Sequence, residues 1–304
     1  MILMLKLVFL GTSAAMPTTK RALTSICLVR DHEILMFDAG EGTQISYMKT
    51  SLPWNKKMKI FVTHLHGDHC VGILGLLQTM SLQKRTETVE IYGPAGIEEF
   101  ITANIKVLNF GLPFPVFITI VEEGDVVDTM DYQVTACEAQ HGIPAFSYCF
   151  QDSAKPGKFY PKKAKELGIP EGKLWQELQN GKSVNHGGMM YNPSDVTGEK
   201  RPGKKIGISG DTRPTEKLQQ FFGNSDYLSF DCTFSFDLKD KAIATNHSTA
   251  REAAELAKNA SVGTLILTHF SARYKDETVL LDEAKEIHES TIAAKDLMEI
   301  EIRK

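Results

Sequence analysis

His64-Leu65-His66-Gly67-Asp68-His69 is the most informative stretch of this 304-residue sequence, because it places three imidazoles and a carboxylate within six positions. The stretch directly follows the apolar, strand-like run Met58–Thr63. Burying so many polar groups without partners is costly, and a divalent ion such as Zn²⁺ accepts imidazole nitrogen and carboxylate oxygen together. A cluster of surface or capping residues is the alternative, but so dense a set of ligand types favours a metal site.

The spacing of these side chains is typical of a loop-borne site and differs from the i, i+4 pair of a helix-borne one. His64 and His66 can project to the same side of an extended segment, whereas Asp68 and His69 are expected in the turn beyond it. One loop of this kind can supply ligands to two adjacent metal ions, which would need further ligands from distant parts of the chain.

Three other strand-like runs are each followed by a residue type that binds metal. His141 follows the run Tyr132–Glu138, Asp211 closes the run from Ile206 to Gly210, and His269 follows the run from Leu265 to Thr268. The carboxyl ends of strands are where sites in sheet proteins gather. Each residue alone is equally consistent with a hydrogen-bonded structural role. Together with the His64–His69 stretch they predict a two-metal hydrolytic centre.

The bulk composition is that of an ordinary soluble protein, with 42% hydrophobic residues and five scattered cysteines. No apolar run approaches the length that crosses a bilayer, so no membrane association is predicted. The segment Met1–Leu10 lacks a basic leader and a small-residue cleavage site, and it predicts a first strand rather than a signal peptide. The cysteines form no C-x-x-C pair, which favours buried free thiols and a reducing cytoplasm.

The charge is unevenly distributed along the chain. The net charge of −4 gives no basic footprint of the kind that marks nucleic-acid binding, but Gln151–Lys205 holds eleven basic and six acidic residues. Proline and glycine are frequent over 153–203, where two short helical patches lie near Lys162–Leu167 and Leu174–Leu178. We predict one domain over 1–304, interrupted at 153–203 by a structured, mobile arm; a disordered loop is the alternative.

The apolar periodicity predicts strands that come in runs early in the chain and then alternate with helices, which indicates a layered α/β architecture with sheets inside and helices outside. The predicted strands are Leu5–Leu10, Thr24–Val29, Glu33–Phe37, Lys59–Thr63, Val89–Tyr92, Phe117–Val121, Tyr132–Glu138, Ala145–Phe150, Lys205–Ser209, Tyr227–Phe230 and Thr264–Thr268. The predicted helices are Cys70–Met80, Ala95–Leu108, Thr215–Phe222, Thr249–Asn259 and Leu280–Ser290.

Several strings resemble known sequences over almost the whole chain. The H-x-H-x-D-H string, a later His, a Gly-Asp turn and a final His resemble the metallo-β-lactamase superfamily. Flanking strings resemble one branch of it, the ribonuclease Z family of transfer-RNA 3′-processing endonucleases. These strings are Phe9-Leu10-Gly11-Thr12-Ser13-Ala14-Ala15-Met16-Pro17-Thr18, Phe37-Asp38-Ala39-Gly40-Glu41-Gly42-Thr43-Gln44, His141-Gly142-Ile143-Pro144-Ala145-Phe146-Ser147-Tyr148, Ser209-Gly210-Asp211-Thr212-Arg213-Pro214 and Leu267-Thr268-His269-Phe270-Ser271-Ala272-Arg273-Tyr274.

The resemblance implies a four-layer αβ/βα sandwich with two Zn²⁺ ions in each subunit, and it leaves open whether Mn²⁺ or Fe²⁺ replaces them. The implied ligands are His64, His66 and His141 for one ion, Asp68, His69 and His269 for the other, and Asp211 as the bridge. A hydroxide shared by the two ions would be the nucleophile, because two cations lower the pKa of a shared water and offset charge on the attacked phosphate.

Three residues receive catalytic roles from the same resemblance. Asp68 is placed to act as the general base. His247, in Asn246-His247-Ser248-Thr249, matches the family's His-Ser-Thr motif and would donate a proton to the leaving 3′ oxygen. Asp231 stands where the family's His-Glu-Ala-Thr motif has glutamate, and its shorter side chain has less reach toward His247. The alternative for His247 is a place beside a helix cap at Ser248 or Thr249.

The basic arm is similar to the flexible arm with which the family grips transfer RNA, although Gly172-Lys173 replaces the usual Gly-Pro. The candidate phosphate contacts are Lys162, Lys163, Lys165, Lys173 and Arg273. A solvated basic face is the alternative for the lysines, and a structural ion pair is the alternative for Arg273. The resemblance also implies a homodimer in which one subunit's arm serves the other's active site.

The function that these features favour is a zinc-dependent endoribonuclease that removes the 3′ trailer from precursor transfer RNA. The products would be a 3′-hydroxyl on the transfer RNA and a 5′-phosphate on the trailer. Two alternatives remain open. The same metal core could serve a phosphodiesterase or thioester hydrolase with a small substrate, or the metal could stabilise an RNA-binding protein without catalysis.

Overall fold

A computed structural model of the protein describes residues 5–154 and 156–302. The chain divides into two compact units. The larger unit contains the residues up to Asp128, Val134–Phe150 and the residues from Lys205 onward, and the smaller unit contains Thr129–Gln133 and Gln151–Lys204. The predicted arm at 153–203 falls within the smaller unit, which is called the arm unit below.

The strands, in chain order, are β1 (Leu5–Gly11), β2 (Ser13–Ala14), β3 (Ser25–Arg30), β4 (Glu33–Phe37), β5 (Lys57–Phe61), β6 (Val89–Gly93), β7 (Val116–Ile120), β8 (Gly124–Asp128), β9 (Tyr132–Glu138), β10 (Phe146–Asp152), β11 (Val184–His186), β12 (Met189–Tyr191), β13 (Lys205–Ile208), β14 (Tyr227–Asp231), β15 (Thr264–Thr268), β16 (Phe270–Ser271), β17 (Thr291–Ala293) and β18 (Glu299–Ile302).

The helices, in chain order, are α1 (Thr43–Met48), α2 (Gly67–Cys70), α3 (Gly72–Leu82), α4 (Ile97–Leu108), α5 (Pro161–Glu166), α6 (Lys173–Gln179), α7 (Pro193–Val196), α8 (Glu216–Phe221), α9 (Lys239–Ala244), α10 (Ala250–Asn259) and α11 (Thr278–Lys285), with one 3₁₀ turn at Phe236–Leu238.

One sheet has the strand order β18-β1-β3-β4-β5-β6-β7. Its first part is antiparallel, and β4, β5, β6 and β7 run parallel. All residues of β3 are buried, as expected for strands that are covered on both faces. On one face, the buried side chains of α3 (Ile73, Leu76, Leu77 and Met80) pack with those of the strands in one apolar core.

The second sheet has the strand order β17-β15-β14-β13-β10-β9-β8. Strands β13, β14, β15 and β17 run parallel. Helix α10 covers this sheet with small side chains, Ala250, Ala253, Ala254 and Ala257, in a core shared with Phe230 and Leu267. The small side chains allow the helix to lie close to the strands.

The two sheets face each other through an aromatic cluster of Phe37, Phe61 and Tyr148. The ring centroid of Tyr148 lies 6.0 Å from that of Phe37 and 5.4 Å from that of Phe61, and its hydroxyl donates a hydrogen bond of 2.8 Å to Val62 O. Helices cover the outer face of each sheet, which gives the layer order helix, sheet, sheet, helix. The four-layer αβ/βα sandwich predicted from the sequence is therefore confirmed.

Two smaller expectations had different outcomes. All five cysteines are buried and free, as predicted. The helix predicted over Leu280–Ser290 ends at Lys285, and His288 beyond it is partly buried with its Nε2 2.9 Å from Val262 O. The predicted helix therefore extends too far, and the contact with Val262 O holds the His288 ring against the protein. Among the described residues, no helix combines the length and apolar character that a bilayer span requires.

The arm unit has a small apolar core of its own. The core contains Ala164, Ile169, Trp175, Leu178, Val184, Tyr191 and Val196. The Trp175 indole N–H donates to Ile169 O at 2.9 Å. At the base of the unit, the Asp152 N–H donates to Lys204 O at 2.9 Å, so the two chain ends that enter and leave it lie side by side. The arm unit therefore has its own packed core, and a backbone hydrogen bond joins the segments through which the chain enters and leaves it.

Candidate metal centre

The His64–His69 stretch leaves β5 as a loop and then turns directly into helix α2. His64 follows the buried Thr63, His66 precedes the first residue of α2, and Asp68 and His69 lie within that helix. The expectation of a simple turn for Asp68 and His69 is therefore wrong. One helical turn instead orients both side chains, and His64 and His69 are fully buried.

The other candidate ligands follow the ends of strands in the second sheet. Asp211 follows β13 through Gly210, whose φ of +60° suits glycine and whose missing Cβ would lie 2.8 Å from Thr63 Cβ. His269 follows β15 and itself has a φ of +60°. A left-handed conformation costs a non-glycine residue on the order of 1–3 kcal/mol, so the surrounding fold must hold His269 in this position.

Three imidazoles form the first cluster of potential ligands. His64 Nε2 lies 3.0 Å from His66 Nδ1, and His141 Nε2 lies 3.1 Å from the same atom. One nitrogen of each ring lies within 4.8 Å of the others. His141 was predicted from a different strand end, and the fold brings it to the His64–His69 stretch.

A second cluster combines two carboxylates with two imidazoles: Asp68, His69, Asp211 and His269. Asp211 Oδ1 lies 3.2 Å from both His69 Nε2 and His269 Nε2, and Asp68 Oδ2 lies 3.5 Å from the same two nitrogens. Asp211 Oδ2 lies 3.7 Å from His64 Nε2 in the first cluster. Asp211 thus has one carboxylate oxygen near each cluster.

Two buried carboxylates, Asp38 and Asp231, each orient two histidine rings. Each carboxylate contacts one ring directly and the other through a threonine hydroxyl. Asp38 Oδ2 lies 2.7 Å from His69 Nδ1 and accepts a hydrogen bond of 2.8 Å from the Thr63 hydroxyl, which lies 3.0 Å from His64 Nδ1. Because the hydroxyl proton goes to Asp38, the hydroxyl oxygen accepts from His64. In their neutral form, both histidines then carry their proton on Nδ1 and present the Nε2 lone pair to the centre.

Asp231 repeats this arrangement for the other two rings. Its Oδ2 lies 2.9 Å from His247 Nδ1, and its Oδ1 accepts a bond of 2.7 Å from the Thr233 hydroxyl, which lies 2.9 Å from His269 Nδ1. The shorter aspartate therefore reaches His247 in spite of the missing methylene. His247 was predicted beside a helix cap or as a catalytic residue; it neighbours Thr249, which does cap α10, while its own ring faces the clusters.

The residues fit a bound cation. Asp211 Oδ1 is buried and has no hydrogen-bond partner among the described residues, although an unpaired buried carboxylate oxygen is costly. The Nε2 atoms of His69 and His269 both lie 3.2 Å from it, and each can offer a lone pair to an ion that displaces its proton. Imidazole and carboxylate together suit borderline ions such as Zn²⁺. The clusters are thus built to bind metal.

Without a metal ion, the charges of the second cluster favour protonated histidines. Burial lowers the pKa of His269, but Asp211, Asp231 and Asp68 outweigh it and raise this pKa to about 10. Burial also opposes protonation of His69, whose pKa Asp211 and Asp38 nevertheless raise well above its usual value. In the first cluster, burial lowers the pKa of His64 to about 2, so that this ring stays neutral.

Zinc binding to the metal-free protein is expected to release protons from His69 and His269, because a ligand nitrogen must be deprotonated. The pKa of His269 is raised to about 10 and that of His69 is raised well above its usual value, so both histidines hold protons that the ion must displace. Affinity should therefore rise as the pH rises toward 10, by about tenfold per pH unit for each displaced proton. Calorimetric titration in two buffers of different ionisation enthalpy counts the protons.

A His32→Gln variant is the matched control for that count, because His32 is an exposed histidine in the turn between β3 and β4. It should release as many protons as the wild type. Zinc binding with equal heat in both buffers and no dependence on pH would contradict the expected exchange.

The remaining candidate residues lie outside the two clusters. Lys162, Lys163, Lys165 and Lys173 are exposed residues of the arm unit. Arg273 is exposed in the larger unit, with its guanidinium 4.9 Å above the Phe234 ring and its Nε donating to Ser271 Oγ at 2.9 Å. These contacts hold the Arg273 side chain at the surface.

The sequence interpretation gave no role to Asp38, Thr63, Thr233 or Arg213. Asp38 and Arg213 stand in the strings that carry the family resemblance, and Thr63 directly precedes His64, but nothing in the spacing shows which ring each one contacts. A cleft of about 520 Å³ opens over the site and is lined by Ala15, Pro17, Leu23, Glu41, His66, Gly67, Asp68, Val71, Asp211, His247 and His269. The clusters are therefore accessible to a substrate.

Comparison with known proteins gives three close likenesses. Ribonuclease Z of Nitrosopumilus maritimus (strain SCM1) is 63% identical over 299 residues and covers 98% of this chain and 100% of the relative. The crystal structure of human tRNase Z, short form, superimposes with a TM-score of 0.73 at 28% identity and covers 98% of this chain and 100% of the human one. The metallo-β-lactamase fold protein YhfI of Bacillus subtilis, at 18% identity and a TM-score of 0.69 over 98% and 99% of the two chains, shares the fold. A family model described as Anti-Pycsar protein Apyc1 matches residues 5–106, less than half of the chain.

Proposed function

This chain belongs to the ribonuclease Z family, and we propose that it removes the 3′ trailer from precursor transfer RNA as a metal-dependent endonuclease. Cleavage leaves a 3′-hydroxyl on the transfer RNA and a 5′-phosphate on the trailer. The observation that supports this substrate class is the full-length identity of 63% to a ribonuclease Z. The paired histidine and carboxylate clusters support the reaction class, because such centres serve phosphodiester hydrolysis.

The two clusters support the proposal of two bound ions, which we take to be Zn²⁺. His64, His66 and His141 would hold one ion and Asp68, His69 and His269 the other, with Asp211 between them. When bound, the ions would lower the pKa of a water molecule and offset charge on the attacked phosphate. Asp38 and Asp231 fix the rings that present the ligand nitrogens.

We assign the two proton transfers of the reaction to Asp68 and His247. Asp68 lines the cleft, and its Oδ2 accepts a hydrogen bond of 2.7 Å from the Ala15 N–H, which orients the carboxylate. We assign to it the removal of a proton from the attacking water. As the new bond to phosphorus forms and the bond from phosphorus to the 3′ oxygen breaks, His247 protonates that oxygen. Asp231, 2.9 Å from His247 Nδ1, holds the ring so that Nε2 carries the proton to the substrate.

The arm unit supplies a surface for the folded RNA. Lys163 Nζ lies 5.1 Å above the Tyr160 ring and Lys165 Nζ lies 5.8 Å above the Trp175 ring. Lys163 and Lys165 thus make cation–π contacts. With Lys162 and Lys173 they form a set of exposed lysines that can contact backbone phosphates. Shape recognition through phosphates is how proteins commonly bind structured RNA. Arg273 adds a cation in the larger unit.

Two further features remain predictions, the first from the family resemblance and the second from the cysteines. A homodimer is expected, with the arm of one subunit serving the active site of the other. The cytoplasm is the expected location, since all five thiols are free and buried.

The deciding experiment maps the ends produced from a precursor transfer RNA by the wild type and by Asp68→Ala. The wild type should cut once at the trailer and leave the ends named above. Asp68→Ala should cleave about 10²-fold more slowly while binding the RNA as tightly, measured by a filter or mobility-shift assay.

Glu41→Gln is the matched control, because Glu41 is an exposed carboxylate of the same cleft. It should cleave at close to the wild-type rate. An unchanged rate in Asp68→Ala would contradict the hydrolytic mechanism. RNA binding by the wild type without cleavage would instead identify a metal-stabilised RNA-binding protein.

A further inference from the structure

Arg213 has no part in the chemistry described above, yet its guanidinium contacts the backbone of His247. Its side chain is 12% exposed and that of its partner Glu252 is 7% exposed. Nη1 donates to His247 O at 2.5 Å and to Glu252 Oε2 at 2.9 Å, and Nη2 donates to Glu252 Oε1. One guanidinium therefore joins the backbone of His247 to a nearly buried carboxylate.

Glu252 is itself fixed to the start of helix α10. It is the third residue of that helix and completes a capping box with Thr249. Its Oε2 accepts from the Thr249 N–H at 3.1 Å and from the Thr249 hydroxyl at 2.9 Å. The carboxylate that Arg213 contacts is thus bonded to the start of α10, so that Arg213 links this helix to the His247 carbonyl.

Thr212, the residue before Arg213, connects the same segment to the other loops of the site. Its N–H donates to Asp231 Oδ2 at 3.2 Å, and its carbonyl accepts from the Ser248 hydroxyl at 2.6 Å. The Gln140 N–H donates to the Thr212 hydroxyl at 3.0 Å, next to His141. The segment from Asp211 to Arg213 therefore contacts the loops of His141, Asp231 and His247 together.

We propose that Arg213 is a positioning residue for proton transfer: its forked contact with Glu252 and His247 O holds the His247 ring where it can protonate the leaving 3′ oxygen. The proposal rests on the proposed function. In the step concerned, a water oxygen bonds to phosphorus, the bond from phosphorus to the 3′ oxygen breaks, and the His247 Nε2 proton goes to that oxygen. Arg213 is not among the residues that line the cleft, and it contacts the carbonyl of His247 and not the ring.

Lysine cannot replace this guanidinium, because a single ammonium lacks the planar fork that reaches both Glu252 oxygens and a carbonyl. Arg213→Lys preserves the charge beside Glu252 and so avoids a buried, unpaired carboxylate. The His247 carbonyl then loses its donor, and the loop that carries the ring loses its link to α10. Displacement of a catalytic group by about 1 Å can cost on the order of 10²-fold in rate.

The test uses two precursor transfer RNAs that differ in one atom, with oxygen or sulfur as the bridging 3′ atom at the cleavage site. A thiolate leaves without protonation, whereas an alkoxide needs a proton. Under single-turnover conditions with saturating enzyme, Arg213→Lys should cleave the oxygen linkage about 10²-fold more slowly and the sulfur linkage at nearly the wild-type rate. Glu252→Gln should also slow cleavage of the oxygen linkage more than cleavage of the sulfur linkage. His247→Ala should show the largest difference between the two linkages, because it lacks the proton donor itself.

A second readout is independent of turnover. Hydrogen exchange of the peptide that spans 243–249 should speed up in zinc-loaded Arg213→Lys, while the metal content stays at the wild-type value. Arg251→Lys is the matched control, because Arg251 belongs to α10 and pairs with Glu255 at 3.5 Å on an exposed face. It should change neither the exchange nor the sulfur-to-oxygen ratio.

Equal losses on both linkages in Arg213→Lys would mean a purely structural role and would overturn the proposal. An unchanged rate on both linkages, or no selectivity in His247→Ala, would also overturn it. Failure of the wild type to cleave either precursor would instead refute the proposed function itself.

Discussion

Asp211→Asn is expected to bind less metal and to cleave precursor transfer RNA on the order of 10³-fold more slowly than the wild type. The substitution keeps the shape of the side chain and removes its charge. Loss of one partner from a buried, charged set costs about 3–5 kcal/mol, and each 1.4 kcal/mol is about tenfold. Elemental analysis of the purified protein and single-turnover cleavage measure the two effects.

The expected size of this effect follows from the position of the carboxylate. Asp211 is 3% exposed, and burial opposes its ionisation. The surrounding His269, His69 and His64 nevertheless hold its pKa well below the usual value. Its negative charge is thus present at every physiological pH and must be matched by protons or by metal. An asparagine offers no such charge, and the second cluster then contains one carboxylate, Asp68, in place of two.

Asp237→Asn is the matched control, because Asp237 is an exposed aspartate in the turn Phe236–Leu238. It should retain the wild-type metal content and rate. Zinc should also raise the melting temperature of the wild type more than that of Asp211→Asn, since a ligand stabilises the folded state that binds it. An Asp211→Asn protein with full metal content and a rate within about tenfold of the wild type would contradict the bridging role.

The sequence predicted the elements that carry a strong apolar signal. Strands β4 and β15 have the predicted bounds, because continuous apolar runs in buried strands leave little choice of conformation. Strand β18, Glu299–Ile302, was missed. It alternates glutamate and isoleucine at the edge of a sheet and pairs with β1 from the other end of the chain. A pairing between strands so far apart in the chain gives no signal in the local sequence of either strand.

The candidate metal ligands were predictable for a similar reason, whereas the residues that orient them were not. Histidine and aspartate at several strand ends are rare enough to indicate metal. Thr63 and Thr233 are common residue types, and their roles depend on contacts with Asp38 and Asp231 that only the folded chain creates. The reach of Asp231 to His247, doubtful from side-chain length, was resolved by the 2.9 Å distance in the structure.

Excision of the arm is expected to lower kcat/KM for precursor transfer RNA by about 10³-fold, which corresponds to about 4 kcal/mol, and to leave hydrolysis of a small phosphodiester unchanged. The structure suggests where to cut. Asp152 N–H donates to Lys204 O, so a short Gly-Ser-Gly linker can join Ser153 to Lys204 in place of 154–203. Zinc content and thermal unfolding should stay close to those of the wild type, because the arm core and the metal clusters belong to different units.

Charge removal without excision separates the phosphate contacts from the fold of the arm. Gln in place of four exposed lysines of the arm unit should weaken binding and make the fall of log kcat/KM with log salt shallower, since fewer counterions are released. The four positions are Lys162, Lys163, Lys165 and Lys173. The matched control replaces four exposed lysines of the larger unit, Lys84, Lys106, Lys258 and Lys285, and should leave the salt dependence unchanged.

The arm variants also distinguish the two substrates that the metal core could serve. If excision lowers cleavage of transfer RNA and of the small diester equally, the arm contributes to the stability of the site and not to RNA binding. If neither activity changes, the arm does not bind the substrate at all. A mixture of the excised subunit with an Asp211→Asn subunit that keeps its arm should regain cleavage only if the arm acts on the partner's site, because then an intact site and an intact arm meet in one dimer.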